Sequence, residues 1–213
     1  MKRGEGKKFV VVIILLCCVT FACSSYKAEK HYKKGVEYQK SGECNKALEE
    51  YSCSLQCDPQ RIDARLGKAK VYETQALWNE AVSEYEEVLS ADPAMVEAEY
   101  SLAALYSNLH KWDEAVKCYK NVVAKDPTNA EAYYCLGSLY KKQEKYDMAM
   151  AAFTSAVQVD KAFSQAHYHL SLLYFIDGEF EAARMHAESA QKDYPQAGKL
   201  LSLIDEETAG TKG

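Results

Sequence analysis

The sequence predicts an all-α solenoid of five helix-turn-helix units, and three observations carry that prediction. All four prolines, Pro59, Pro93, Pro127 and Pro195, fall in one phase of a 34-residue period, with Lys161 in the vacant slot. Random placement would give that coincidence roughly once in forty thousand, so the spacing is a repeat. Tyrosines keep the same interval at Tyr38, Tyr72, Tyr106, Tyr140 and Tyr174, and alanines at Ala47, Ala81, Ala115, Ala149 and Ala183. Small, aromatic and proline markers at this period belong to a stacked helical array, whose members cannot bury their apolar faces alone. Such arrays hold other proteins and rarely do chemistry.

In chain order, residues 1–22 read as a signal peptide. Lys2, Arg3, Lys7 and Lys8 precede an uncharged stretch, Phe9–Ala22. At about 14 residues it fits a signal core and falls short of the roughly 20 that span a bilayer. The stretch ends in Val19-Thr20-Phe21-Ala22-Cys23, where the chain resembles a bacterial lipoprotein precursor. That resemblance implies cleavage before Cys23 and lipidation at Cys23. Ser24, rather than Asp, at the next position implies an outer-membrane, periplasm-facing location. Two other readings share these residues: an ordinary secretory site releasing a soluble periplasmic protein, and an uncut anchor. Residues 23–27 are expected to form a lipid-anchored tether, and four residues reach at most about 15 Å. Lys27, Lys30, His31, Lys33 and Lys34 follow it, as a set resting against anionic headgroups or as a solvated helix face.

The array is expected over 28–207, with repeats 28–61, 62–95, 96–129, 130–163 and 164–197. Each repeat reads as two helices. In the third, Leu102, Leu105, Tyr106 and Leu109 make one apolar stripe and Ala115, Val116, Tyr119, Val122 and Val123 the other. Asp58-Pro59, Asp92-Pro93 and Asp126-Pro127 stop the second helices, because proline lacks an amide donor and biases its predecessor away from helix. Leu200, Leu203 and Ile204 recur at helical spacing, so 196–206 is expected to cap the array. Residues 208–213 are expected to be a disordered tail.

The pattern Tyr133, Leu136-Gly137, Tyr140, Tyr146, Ala149, Phe153, Ala156 and Asp160-Lys161 resembles a tetratricopeptide repeat, and the other repeats carry it with substitutions. The resemblance implies a right-handed superhelical solenoid with a non-catalytic, protein-binding role. Gly35, Ala69, Ala103, Gly137 and Ser171 are all small, so the two helices of a repeat can approach closely. Lys34 and Lys68 stand in a leucine slot and Ala187 in an aromatic slot, which predicts looser packing in the first, second and fifth repeats.

In this family the first helix of each repeat lines the concave surface. Carried onto this chain, the partner-binding groove comprises Tyr32, Leu66, Tyr100, Tyr134 and Tyr168, with Glu29, Asp63, Glu97 and Glu131 beside them. Aromatic faces next to carboxylates suit an extended peptide with apolar and basic side chains. The slots of the family's terminal-carboxylate clamp hold Tyr32, Val36, Gly67, Glu97 and Ser101, which lack its donors. Leu172, Phe175 and Ile176 form a second candidate, an apolar patch covered by the capping helix or by a partner.

No catalytic signature, cofactor motif or metal-ligand set is found. His167 and His169 point apart on a helix, and Cys135 with His169 supplies too few ligands. The net charge is −5, and removing the basic leader makes it more acidic, which argues against nucleic acid. Cys44, Cys53, Cys57, Cys118 and Cys135 are odd in number and read as apolar packing residues rather than a disulfide framework. The function expected is a membrane-tethered scaffold for an envelope complex, with pilotin-like type IV pilus secretin assembly as the specific case. Roles in outer-membrane protein assembly, in polysaccharide export, or in recruiting a peptidoglycan enzyme fit the same architecture.

Overall fold

Helix follows helix through two recurring turns, each written by a local hydrogen-bond pattern. The protein is described by a computed structural model over residues 24–210, and these fold into eleven helices with no strand among them. They are α1 (24–40), α2 (Cys44–Cys57), α3 (Ile62–Thr74), α4 (Trp78–Ala91), α5 (Val96–Asn108), α6 (Trp112–Lys125), α7 (Ala130–Lys142), α8 (Tyr146–Val159), α9 (Ser164–Ile176), α10 (Phe180–Ala190) and α11 (Pro195–Gly210).

The first turn closes each odd-numbered helix through α9. One residue in it takes positive φ: Gly42, Ala76, His110, Glu144 and Gly178, at 56° to 78°. The amide after it reaches back to the carbonyl of the repeat's tyrosine, as in Leu77 N to Tyr72 O and Lys145 N to Tyr140 O, both 2.9 Å. This six-residue loop satisfies a carbonyl that the helix end would otherwise leave open.

The second turn ends α2, α4, α6 and α8. Asp58, Asp92 and Asp126 each accept the amide two residues on through Oδ1, at 3.0–3.2 Å. Asp160 does the same to Ala162 N at 2.9 Å, although Lys161 replaces the proline. The aspartate therefore holds this turn whether or not proline follows.

The described residues divide into two compact bodies, the first ending at Ala98 and the second beginning at Glu99. In the first, Ala47, Tyr51, Ala64 and Val71 form a buried cluster with Tyr32, Val36, Tyr38, Cys44, Leu48 and Leu55 against it. The Tyr51 ring explains two glycines. A Cβ on Gly35 would lie 2.7 Å from it and one on Gly67 2.5 Å. Burial pushes the Tyr51 phenol up to about 12, and its hydroxyl donates to Gln39 Oε1 at 2.6 Å. The expected loosening at Lys34 and Lys68 does not occur. Glu50 sits between His31 (2.6 Å) and Lys34 (3.5 Å), and Glu84 between Arg65 (3.4 Å) and Lys68 (2.7 Å).

In the second body the same slot is apolar, with Leu102, Leu136 and Leu170 all buried. Phe153 occupies the ring position, and a Cβ on Gly137 would lie 2.6 Å from it. Glu99 is the buried carboxylate here, bonded by Asn121 and Lys125, both at 2.9 Å. At the C-terminal end, Ala183, Ala187, Ala190, Ala197, Leu200 and Ile204 make one cluster, with Tyr168, Leu172, Phe175 and Tyr194 partly buried on it. Ala187 leaves no loose packing either, because α11 fills the space and the alanine is 0% exposed.

Two helix limits differ from expectation. The first helix is already formed at residue 24, the first described, so 24–27 are helical rather than an extended tether. Ser24 Oγ donates to Cys57 O at 2.5 Å, and Ser54 Oγ to Ala28 O at 2.8 Å, which fastens the start of α1 to the end of α2. The last helix runs to Gly210, past the expected cap at 206, and includes Thr208, whose hydroxyl bonds Ile204 O at 2.8 Å. The signal segment and Cys23 lie outside the described residues. Among the described residues, no helix is long and apolar enough to cross a membrane.

Candidate protein-binding surface

The residues proposed for the groove fall in both bodies. Tyr32 and Leu66 lie in the first, partly buried on α1 and α3. Arg61 stands 4.9 Å over the Tyr32 ring, bonded to both Glu29 and Asp63. Glu29 also meets Lys33 at 3.0 Å, and Lys33 first, then Arg61, hold its carboxyl below the usual carboxylate range. Glu97 pairs with Lys70. These three acids are therefore neutralised within the chain and do not form a free anionic strip for a basic peptide. The reason was legible only in three dimensions, because Arg61 and Lys70 reach the acids from neighbouring segments.

Tyr100, Tyr134 and Tyr168 lie in the second body, on α5, α7 and α9. Tyr100 meets Tyr119 edge-on at 5.4 Å, and its hydroxyl lies 3.9 Å from Cys135 Sγ. Burial raises both phenols and the Cys135 thiol, so this trio is uncharged. Tyr134 lies 5.8 Å from Phe153, 5.4 Å from Phe163 and 5.8 Å from His169. His169 also stacks on Phe153 at 5.1 Å and borders Tyr168 at 5.6 Å, and Tyr168 stacks on Tyr194 at 5.1 Å. The Lys141 ammonium donates to His169 Nδ1 at 3.2 Å. Burial, then the Lys141 charge, pushes His169 down to about 4, so the ring is neutral. Glu131 is exposed at the start of α7.

Sequence reasoning selected Tyr134 and Tyr168 but not Phe163, His169, Tyr194 or Lys141. His169 shares the phase of Gly67, Ser101 and Cys135, the slot that meets the preceding repeat's ring, and that signal could have found it. Tyr194 falls in the phase of Asp58, Asp92, Asp126 and Asp160, where the other repeats carry the turn aspartate, so the periodicity there points to a turn and not to a ring. Of the apolar patch, Leu172 and Phe175 lean on the C-terminal cluster, whereas Ile176 is 74% exposed.

His167 does not pair with His169. Its Nδ1 lies 2.8 Å from His186 Nδ1, and its Nε2 3.1 Å from Lys161 O. The carbonyl fixes Nε2 as the donor, so His186 Nδ1–H donates to His167 Nδ1. Among the described residues, no three or more His, Cys, Asp or Glu side chains stand close enough to hold a metal ion. The five cysteines from Cys44 to Cys135 are free thiols.

Residues 109–144 match the family described as TPR repeat, and residues 130–163 match the tetratricopeptide repeat. Among solved structures, MamA is 23% identical with a TM-score of 0.70, over 78% of this chain and 96% of that one. Pseudomonas aeruginosa pilF is 15% identical with a TM-score of 0.70, over 89% of each chain. YrrB, described as a TPR protein with an unusual peptide-binding site, is 20% identical with a TM-score of 0.69, over 82% of this chain and 90% of that one. No curated protein matches the sequence. Since 413 solved chains share the likeness, it speaks to fold and not to a partner. Residues 109–163 therefore carry tetratricopeptide repeats, and helix order and recurring turns give the other described residues the same fold.

Proposed function

We propose that the chain is a membrane-tethered scaffold lipoprotein that holds partner proteins during assembly of an envelope complex, with type IV pilus secretin assembly as the specific case. The observation that carries this reading is the junction of a lipoprotein-like leader with a repeat array. In sequence Ala22-Cys23 is followed at once by residues that are helical from Ser24 on, and the Ser24 hydroxyl donates to Cys57 O. The repeats supply an interaction surface, and the proposed lipid would hold it at the membrane. The likeness to pilF is one of fold, so the pilus assignment rests on the joint presence of leader and repeats.

Intact mass of the mature protein tests the anchor. An acyl increment on a chain beginning at Cys23 is expected, and Cys23→Ala should move the protein to the soluble fraction. A mature chain starting at Cys23 without added mass would make it a secreted protein. For the partner, crosslinking in cells should recover a secretin subunit. Recovery of barrel-assembly, polysaccharide-export or peptidoglycan enzymes instead would move the role to that pathway. Replacing Tyr100 and Tyr134 together with alanine should weaken capture and leave helicity unchanged, and unchanged capture would remove the groove assignment.

A further inference from the structure

We infer that the face formed by α7 and α9 reads a carboxylate: it takes an extended peptide segment in which an Asp or Glu side chain stands beside a bulky apolar or aromatic one. This deepens the scaffold reading, rests on it, and reverses the charge that the sequence alone suggested for the ligand.

Two other lysines among the described residues are partly buried, and they set the standard. Lys68 and Lys70 each stand within ion-pair distance of a carboxylate. Lys141 is also partly buried, yet among the described residues no acid lies within that distance. Its bonded neighbour is the neutral Nδ1 of His169, and the nearest like charge is Lys142. Burial, then Lys142, lowers its affinity for the proton. A partly desolvated ammonium with a neutral acceptor and a like charge nearby lacks only an anion.

The surroundings say what kind of anion. Residues 134, 138 and 141 share one face of α7 by helical spacing, which puts the Tyr134 and Ser138 hydroxyls on the same face as Lys141. One hydroxyl pair and one ammonium suit a single carboxylate. A phosphate or nucleic-acid backbone calls for a row of cations or a guanidinium fork. Beside this group the rings of Tyr134, His169, Tyr168 and Tyr194 follow one another at 5.1–5.8 Å, a wall for an aromatic or branched side chain. Of the acid row, exposed Glu131 stands at the far end of α7, about 15 Å along the helix from Lys141, and its slot in α9 becomes Gln165.

The test uses three labelled hexapeptides, alternating Phe with Asp, Asn or Lys, titrated by fluorescence anisotropy against the full chain. The Asp peptide should bind about tenfold tighter than the Asn peptide, as one charge-assisted hydrogen bond implies, and the Lys peptide weakest. Lys141→Gln should bring Asp and Asn within about twofold of each other while leaving Asn binding in place. In the same titration the Asp peptide should raise the His169 midpoint seen by NMR, because it neutralises the adjacent Lys141, and the Asn peptide should not. Equal binding of Asp and Asn peptides, discrimination that survives Lys141→Gln, or no binding at all would overturn the inference. Tyr134→Ala should weaken all three peptides together. If it does while charge has no effect, the groove stands and its carboxylate reading falls.

Discussion

The two bodies solve one packing problem in opposite ways. Residues sixteen apart face each other across the helices of a repeat. In the first body those pairs are Lys34 with Glu50 and Lys68 with Glu84, and His31 and Arg65 add a second cation to each acid. In the second the same positions hold Leu102 and Cys118, Leu136 and Ala152, and Leu170 and His186, and all three leucines are buried. The difference teaches which positions define the fold. A ring at Tyr51 or Phe153 against Gly35 or Gly137 is common to both bodies, whereas the neighbouring slot accepts either charge or hydrocarbon.

Salt should separate the two solutions most strongly. Leu136→Ala is expected to cost about 2–5 kcal/mol, at low or high ionic strength alike. Glu84→Ala strands Lys68, leaves Arg65 with Glu87 at 3.9 Å and Pro59 O at 3.1 Å, and should cost about 1–3 kcal/mol, with most of that loss gone in about 1 M salt. Urea unfolding at two salt concentrations checks both. A salt-independent Glu84→Ala would mean that the first body is held as the second is.

Acid should separate them next. Burial first, then Lys141 or His167 respectively, pushes His169 and His186 down to about 4. The unfolded chain takes up protons at these sites below its ordinary histidine range, near 6.5, and the folded chain refuses them. Their contribution is therefore complete above pH 6.5 and lost as pH falls toward 4. In the first body burial raises the Glu50 carboxyl, but His31 and Lys34 outweigh it and hold it below 4.5. That contribution is present above 4.5 and lost only below. Hydrogen exchange over a pH series should show the second body loosening first, and His186→Leu should flatten its profile between pH 6.5 and 4. Earlier loosening of the first body would break the comparison.

The turns should show the smallest effect and the same one in both bodies. Ala76 and Glu144 hold positive φ without being glycine. Ala76→Gly and Glu144→Gly are each expected to raise stability by about 0.5–1 kcal/mol, as left-handed strain is relieved against some added chain entropy. Thermal unfolding reads this. Unequal gains would show that the bodies differ in backbone as well as in side chains.

Much of this was legible in the chain because it is periodic. Proline, tyrosine and alanine at one interval give the helix pairs, and the small slots give their close approach. Legibility failed where meaning depends on a residue one repeat away. Lys34 and Lys68 read as defects until Glu50 and Glu84 are placed opposite them. Glu29, Asp63 and Glu97 read as a free acidic row until Arg61 and Lys70 reach them. The positive-φ turns hid because Ala76, His110 and Glu144 carry no glycine to announce them. For the candidate surface, two tyrosines were visible by phase, but the unpaired ammonium of Lys141 is a property of what surrounds it.

The bond from Ser24 to Cys57 O has a mechanical consequence. A flexible leash lets an anchored protein sweep a hemisphere and meet partners at any angle. Here the chain is helical from its first described residue, Ser24, and that residue's hydroxyl is fastened to another helix. With a lipid on Cys23, as proposed, the anchor would act as a rigid mount. A partner would then be met at one height and one tilt above the bilayer, and inserting a few flexible residues after Cys23 would change what the protein can reach without touching its binding face.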